Sequence, residues 1–259
     1  MTTLQIDAHL VYDLTAPAGL LMQLEVAAIA GQSVLSSDLT TSPLEHDARV
    51  PAEAALGTRH WMRARDRFEA RYGARVDVTR PDPDLAALAA TPTHLLTAEA
   101  TSFLMPSRYC ESDLFEPIVA AEFGDLAGGP LVAAIRDWVG GAFAYVPGSS
   151  DAHTTARDSY MARRGICRDY AHVVVAMARA GGIPARCVSV YAPDVDPPDF
   201  HAVAEVWLDG AWHLVDATGM ARPSDIAVIG VGRDAAEISF LTVMGAATLV
   251  EQAVTVRRA

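Results

Sequence analysis

The dipeptide Asp209-Gly210 constrains what this chain can fold into more than any other pair of residues. Residues 201–208 and 211–218 flank it, and both runs are rich in apolar and aromatic side chains. An Asp-Gly pair suits a two-residue type I′ turn, whose central positions both need positive φ. That turn fixes a register: Leu208 opposite Ala211, Trp207 opposite Trp212, and Val203 opposite Asp216. Side chains alternate across a strand, so His201, Val203, Glu205 and Trp207 then share a face with Trp212, Leu214 and Asp216. His201 lies diagonal to Asp216, roughly 7–8 Å away between backbones and within side-chain reach. A three-residue loop would flip one strand and separate the two.

Upstream, Arg164-Gly165-Ile166-Cys167-Arg168-Asp169-Tyr170-Ala171-His172 sets a cysteine just after a glycine, at the head of an apolar helical pattern. A thiol there sits among unpaired backbone N–H groups, at the positive end of a helix dipole, and both favour the thiolate. Cys167, His201 and Asp216, each on its own element, read as nucleophile, base and orienter. The helix start supplies N–H groups for an oxyanion, one of them from Cys167. The sequence does not identify the second donor, and Tyr145 is the candidate carried forward.

Duller readings compete. Cys110 and Cys187 read as small buried apolar residues, Cys187 within an apolar strand and Cys110 without a partner. His172 lies five residues beyond Cys167, about 140° around a helix, and so faces away as a packed or surface residue. His213 falls on the hairpin face opposite Asp216 and reads as structural. Glu205 reads as a cross-strand polar contact, and Trp207 and Trp212 as core or cleft wall. Asp194, Asp196 and Asp199 could bind a cation, but the glycine and terminal glutamate of a calcium loop are missing and a solvated loop fits better.

The chain has 259 residues, 51% of them hydrophobic, enough for one large domain or two ordinary ones. Its net charge of −12 argues against nucleic acid or an anionic membrane surface as partner. No window approaches a membrane-spanning run, and the start lacks the basic and apolar regions of a signal peptide. Three cysteines make no disulfide framework and no CxxC pair, so a reduced, cytoplasmic protein is expected, with no metal and no cofactor.

Residues 1–105 read as a β-rich module. The run 4–12 alternates at period two, 20–26, 32–35, 60–65, 67–72 and 74–78 are further strand candidates, and turn signals between them suggest an antiparallel sandwich. Pro81-Asp82-Pro83-Asp84 marks a turn or linker. Residues 106–259 change character. A helix is expected after Gly128-Gly129 with Pro130 at its first position, and Gly140-Gly141 is expected to end it. A second begins at Cys167 and stops at Gly181-Gly182 before Pro184, and a strand covers 186–191.

At these residues the chain resembles the transglutaminase-like superfamily. The matching text is Gly165-Ile166-Cys167-Arg168-Asp169-Tyr170-Ala171, then Arg179-Ala180-Gly181-Gly182-Ile183-Pro184-Ala185-Arg186, His201-Ala202, and Trp212-His213-Leu214-Val215-Asp216-Ala217-Thr218. The resemblance covers roughly residues 125–220. It implies an α+β chain in which a β-sandwich-like domain precedes a papain-like, transglutaminase-core domain. The family's nucleophile, base and orienter fall on Cys167, His201 and Asp216. Leu104–Cys110 resembles the connecting segment of bacterial members. Val203 stands where the family usually has an aromatic residue, which bears on substrate choice. The expected activity is hydrolysis of an amide or peptide bond through a thioester, with a peptide or protein as substrate. Glutamine–lysine transamidation is the second reading, and a binding module with a vestigial triad the third.

Overall fold

The computed structural model describes residues 1–259. The first six strands are β1 (Thr2–Leu14), β2 (Ala18–Met22), β3 (Gln32–Thr41), β4 (His46–Pro51), β5 (Thr58–Ala64) and β6 (Arg67–Val78), with alternate residues buried in β2, β5 and β6 and with β3 and β4 mostly exposed. In β6 every second residue, from Phe68 through Ala70, Tyr72, Ala74 and Val76 to Val78, is buried, while Arg67, Arg71 and Arg75 face water. The run 74–78, read as a separate strand, is the end of this one.

The remaining elements are α1 (Ala98–Ser102), α2 (Glu116–Phe123), α3 (Gly128–Ala142), β7 (Ala144–Tyr145), α4 (Ala156–Ala162), β8 (Arg164–Gly165), α5 (Cys167–Ala180), β9 (Ala185–Tyr191), β10 (His201–Leu208), β11 (Ala211–Val215), β12 (Ala227–Gly232), α6 (Ala235–Ile238), β13 (Leu241–Met244) and β14 (Ala247–Arg258). No single helix is long and apolar enough to cross a membrane.

Two antiparallel sheets, ordered β14-β1-β6-β3 and β13-β2-β5-β4, enclose one apolar cluster that includes Leu4, Ile6, Leu20, Met22, Phe68 and Tyr72. This is the expected sandwich, with one correction. The sequence assigns everything after residue 105 to the second module, yet the last two strands return to the first. Leu241 pairs with Met22, and Val256 pairs with Ile6.

The second module is a sheet ordered β11-β10-β9-β12 with α5 against it. Val174 and Ala178 of the helix pack in one cluster with Ala204, Val206 and Val215 of the strands. Each fully buried valine of this kind contributes about 1.5–3 kcal/mol. Two details of the helices differ from expectation. Pro130 is the third residue of α3 rather than the first, still within the turn whose N–H groups lack intrahelical partners. Gly140-Gly141 does not end α3, which runs to Ala142 because Leu131, Val132, Ile135 and Val139 bury one face. Helix α5 does stop where expected. Gly182 takes φ +75°, and the Ile183 and Gly182 N–H groups bond back to Ala178 and Arg179 carbonyls.

Candidate active site

Three elements deliver the site. Cys167 is the first residue of α5 and is buried. No side chain caps this helix from Ile166. Instead the Asp169 carboxylate, three residues on, accepts the Ile166 N–H at 2.8 Å. Asp169 is fully buried and also accepts the Ser150 hydroxyl at 2.5 Å. Arg168 donates to Ser150 Oγ and to the Asp151 carbonyl, at 3.1 and 2.8 Å. The loop at 150–151 is thereby tied to the helix start. Gly165 is required there, since a Cβ on it would lie 2.5 Å from the Asp169 Cβ.

The hairpin has the expected register, from Leu208–Ala211 through Trp207–Trp212 to Ala204–Val215. Asp209 and Gly210 take φ of 49° and 74°, as a type I′ turn requires. His201 opens β10, and its Nε2 lies 3.0 Å from Asp216 Oδ2. Asp216 is held in turn: Oδ1 accepts the Thr218 N–H and hydroxyl at 2.8 and 2.7 Å, and Oδ2 also accepts the Ala221 N–H at 2.9 Å. Burial works to push the Asp216 carboxyl up, but His201 and Thr218 outweigh it and hold it below the usual carboxylate range. For His201 burial pushes down, and it is outweighed by the Asp216 hydrogen bond and then by the Cys167 thiol, which together raise the imidazole to about 10. Nδ1 of His201 makes no closed hydrogen bond, so the contact with Cys167 is looser than the one with Asp216.

Tyr145 reaches the site by a short parallel bridge. Ala144 and Tyr145 pair with Arg164 and Gly165, and Gly165 lies two residues before Cys167. Burial is the main cause raising the Tyr145 phenol, followed by the neighbouring Cys167 thiol. The phenol thus neighbours the Cys167 thiol, where its hydroxyl and the Cys167 N–H are the two candidate oxyanion donors.

The other sequence candidates lie elsewhere. His172 is buried, with its Nε2 accepting the Ala235 N–H at 3.1 Å. Cys110 is not without a partner, because it meets His172 and Cys187 in a buried cluster. The His213 Nε2 lies 3.1 Å from the Leu208 carbonyl. Glu205 accepts from its cross-strand partner Arg186 at 2.7 Å. Arg186 also stacks on Trp212, 3.8 Å from the ring centre. These residues wall a cavity of about 470 Å³ that touches neither Cys167 nor His201. Asp194 pairs with Arg258, Asp199 accepts from Phe200 N–H and Gln252, and Asp196 is exposed. What the sequence misses is the clamp of Ser150, Arg168 and Asp169. Its one sequence signal is an acidic residue three positions after the helix cap.

Residues 119–217 match the transglutaminase-like superfamily. An uncharacterized protein of Mycobacterium tuberculosis is 31% identical over 190 residues, 63% of this chain and 60% of that protein. One of Mycobacterium leprae is 31% identical over 117 residues, 42% of each chain. The chain thus matches less than two thirds of the length of these relatives. A crystal structure from Cytophaga hutchinsonii, described as a candidate cysteine protease, superposes with a TM-score of 0.93 at 29% identity, over 99% of this chain and 90% of that one. The segment similar to the transglutaminase-like superfamily, residues 119–217, contains Cys167, His201 and Asp216.

Proposed function

We propose that the protein cleaves an amide or peptide bond through a thioester on Cys167 and passes the acyl group to water. The observation that carries this is the His201 imidazole, held by Asp216 at 3.0 Å on Nε2 and neighbouring the Cys167 thiol on its other side. The thiol proton passes to His201 Nδ1 and the sulfur attacks the carbonyl carbon. The Cys167 N–H and the Tyr145 hydroxyl take the developing oxyanion. The tetrahedral species collapses, and the leaving amine takes the proton from His201. Asp216 stays ionised throughout and fixes the ring's orientation.

The second half uses the same groups in reverse. Once the sulfur is acylated it carries no charge, so one of the two influences that raise His201 is gone. The imidazole then takes a proton from water, hydroxide attacks the thioester carbon, and Cys167 leaves as thiolate. The description of the Cytophaga hutchinsonii protein as a candidate cysteine protease supports a peptide as substrate.

The test uses acyl-donor peptides and intact-protein mass spectrometry. The expected result is an acyl adduct on Cys167, none in Cys167→Ser, and mostly free acid even with millimolar amine added. Predominant amide product at low amine would make the reaction transamidation. No adduct with any glutamine or peptide donor would return the chain to the binding-module reading.

A further inference from the structure

Away from Cys167, three soft side chains converge. Cys110, from the segment between α1 and α2, His172 of α5 and Cys187 of β9 place their sulfur and nitrogen atoms within 4.8 Å of one another, all buried. The tautomer of His172 decides what this cluster can do. Its Nε2 accepts the Ala235 N–H at 3.1 Å, so the ring proton must sit on Nδ1. Nδ1 has no other hydrogen-bond partner, and the ring is fixed by stacking on Tyr109 at 5.4 Å. A nitrogen that carries a proton cannot coordinate a metal. A neutral ligand through Nδ1 would need its proton on Nε2, pointing at the Ala235 donor. The cluster therefore offers two sulfurs and one N–H, which is thiol chemistry.

The two sulfurs are unequal. The neighbouring Cys110 thiol, and after it His172, outweigh burial and hold the Cys187 thiol below the usual thiol range. Cys110 is pushed well above the usual thiol range, by burial first. An easily ionised sulfur beside a protonated one is the pairing of an attacking and a resolving cysteine.

We propose that Cys110 and Cys187 form a reversible disulfide on exposure to a hydroperoxide. Cys187 is the sulfur that meets the oxidant and Cys110 the one that resolves it. The Cys187 thiolate attacks one peroxide oxygen and the O–O bond breaks. Hydroxide leaves and takes up a proton as water, and Cys187 becomes a sulfenic acid. The Cys110 sulfur then attacks Cys187, the S–S bond forms, and the S–O bond breaks. The departing hydroxide takes the Cys110 proton as a second water. One peroxide is reduced and two thiols are oxidised. With the two residues 0% and 1% exposed, a bulky disulfide such as oxidised glutathione cannot reach them, which leaves a small oxidant admitted by local opening.

The position gives the bond a lever on the active site. Tyr109, next to Cys110, accepts the Ala156 N–H at 2.8 Å and donates its hydroxyl to the Ala152 carbonyl at 2.7 Å. It thus holds the loop that carries Ser150 and Asp151, which are tied to Asp169 and Arg168 at the start of α5.

The chain has three cysteines, so Cys167→Ser leaves only this pair and removes the proposed nucleophile from the readout. Thiols counted after denaturation should fall from two to none with hydrogen peroxide, with loss of two hydrogens per chain and full return on reduction. Oxidised glutathione should leave both thiols intact. In Cys110→Ala/Cys167→Ser, peroxide should stop at a dimedone-trappable sulfenic acid on Cys187. Two thiols that survive peroxide, independent sulfinic acids on each sulfur, or thiols that react in the native protein only after a chelator is added would each overturn the proposal. The last outcome would assign the cluster to a metal.

Discussion

Replacing Asp216 with asparagine keeps its shape and removes one acceptor. The carboxylate accepts four hydrogen bonds, from His201 and Ala221 on Oδ2 and from the Thr218 N–H and hydroxyl on Oδ1. An asparagine oxygen can serve only one of these pairs. If it stays with His201 and Ala221, the amide group meets Thr218, whose hydroxyl can turn to accept but whose N–H is stranded. A stranded buried donor costs ~1–3 kcal/mol. The charge adds a second cost. His201 stands at about 10 against an ordinary 6.5. At about 1.4 kcal/mol per unit, that displacement is worth ~5 kcal/mol, shared between Asp216 and Cys167. Without the carboxylate, only the Cys167 thiol still opposes burial, and the imidazole titrates lower than in the wild type. A raised folded-state value contributes stability that is fully present below about pH 6.5 and is lost as pH rises through about 10. The destabilisation of D216N should therefore be largest near about pH 6, where the wild-type carboxylate is still ionised, and should narrow toward about pH 10. Denaturant unfolding of both proteins across this range, with NMR titration of the His201 ring, measures it. A destabilisation that does not vary with pH, or a His201 that still titrates near 10 in the variant, would refute the reasoning. Thioester formation should fall by roughly 10³–10⁴, as when a serine triad loses its aspartate.

Tyr145→Phe keeps the ring against Tyr170 and removes only the hydroxyl. Acylation measured by mass spectrometry should slow by roughly 10²-fold with KM little changed. His201→Ala should abolish the thioester. His172→Ala should keep it while costing ~1 kcal/mol, because the part-buried Ala235 N–H loses its acceptor. Equal loss of acylation in both, with both folded on circular dichroism, would reverse the assignment of the base. Truncation after Phe240 removes β13 and β14 and opens β1 and β2 at their edges. Soluble yield and cooperative melting should both be lost, and a truncated chain that melts like the full one would show that these strands contribute nothing.

The site is legible in the sequence to the extent that its geometry is local. An Asp-Gly turn fixes its own strands, and through them it carries His201 to Asp216 with no knowledge of the rest of the fold. Cys167 is legible for the same reason, since one helix start defines its surroundings. Tyr145 is different. It arrives by a parallel bridge only two residues long, and nothing in Ala144-Tyr145 marks that pairing. The Cys110–His172–Cys187 cluster is further out of reach, because its members come from a connector, a helix and a strand with no shared period. Asp169 lies between these cases. Its capping role follows from position, but its contact with Ser150 depends on a loop that only the fold brings near.

The fold divides along the same line. Strand β6 announces itself because alternate residues are buried on one side and charged on the other. Strand β14 gives no such signal. It is an edge strand, and of its twelve residues only Val254 is buried. Its pairing partner is β1, at the far end of the chain, and its fixed point is Arg258, which reaches Asp194 and Asp225. Asp194 belongs to the loop just before His201. The strand that completes the sandwich therefore also pins the loop leading into β10. Residues 106–240 sit between sandwich strands in sequence, so the two modules cannot be separated by one cut at residue 105. The site's hairpin is braced from the sandwich side by a strand that hydrophobic patterning does not reveal.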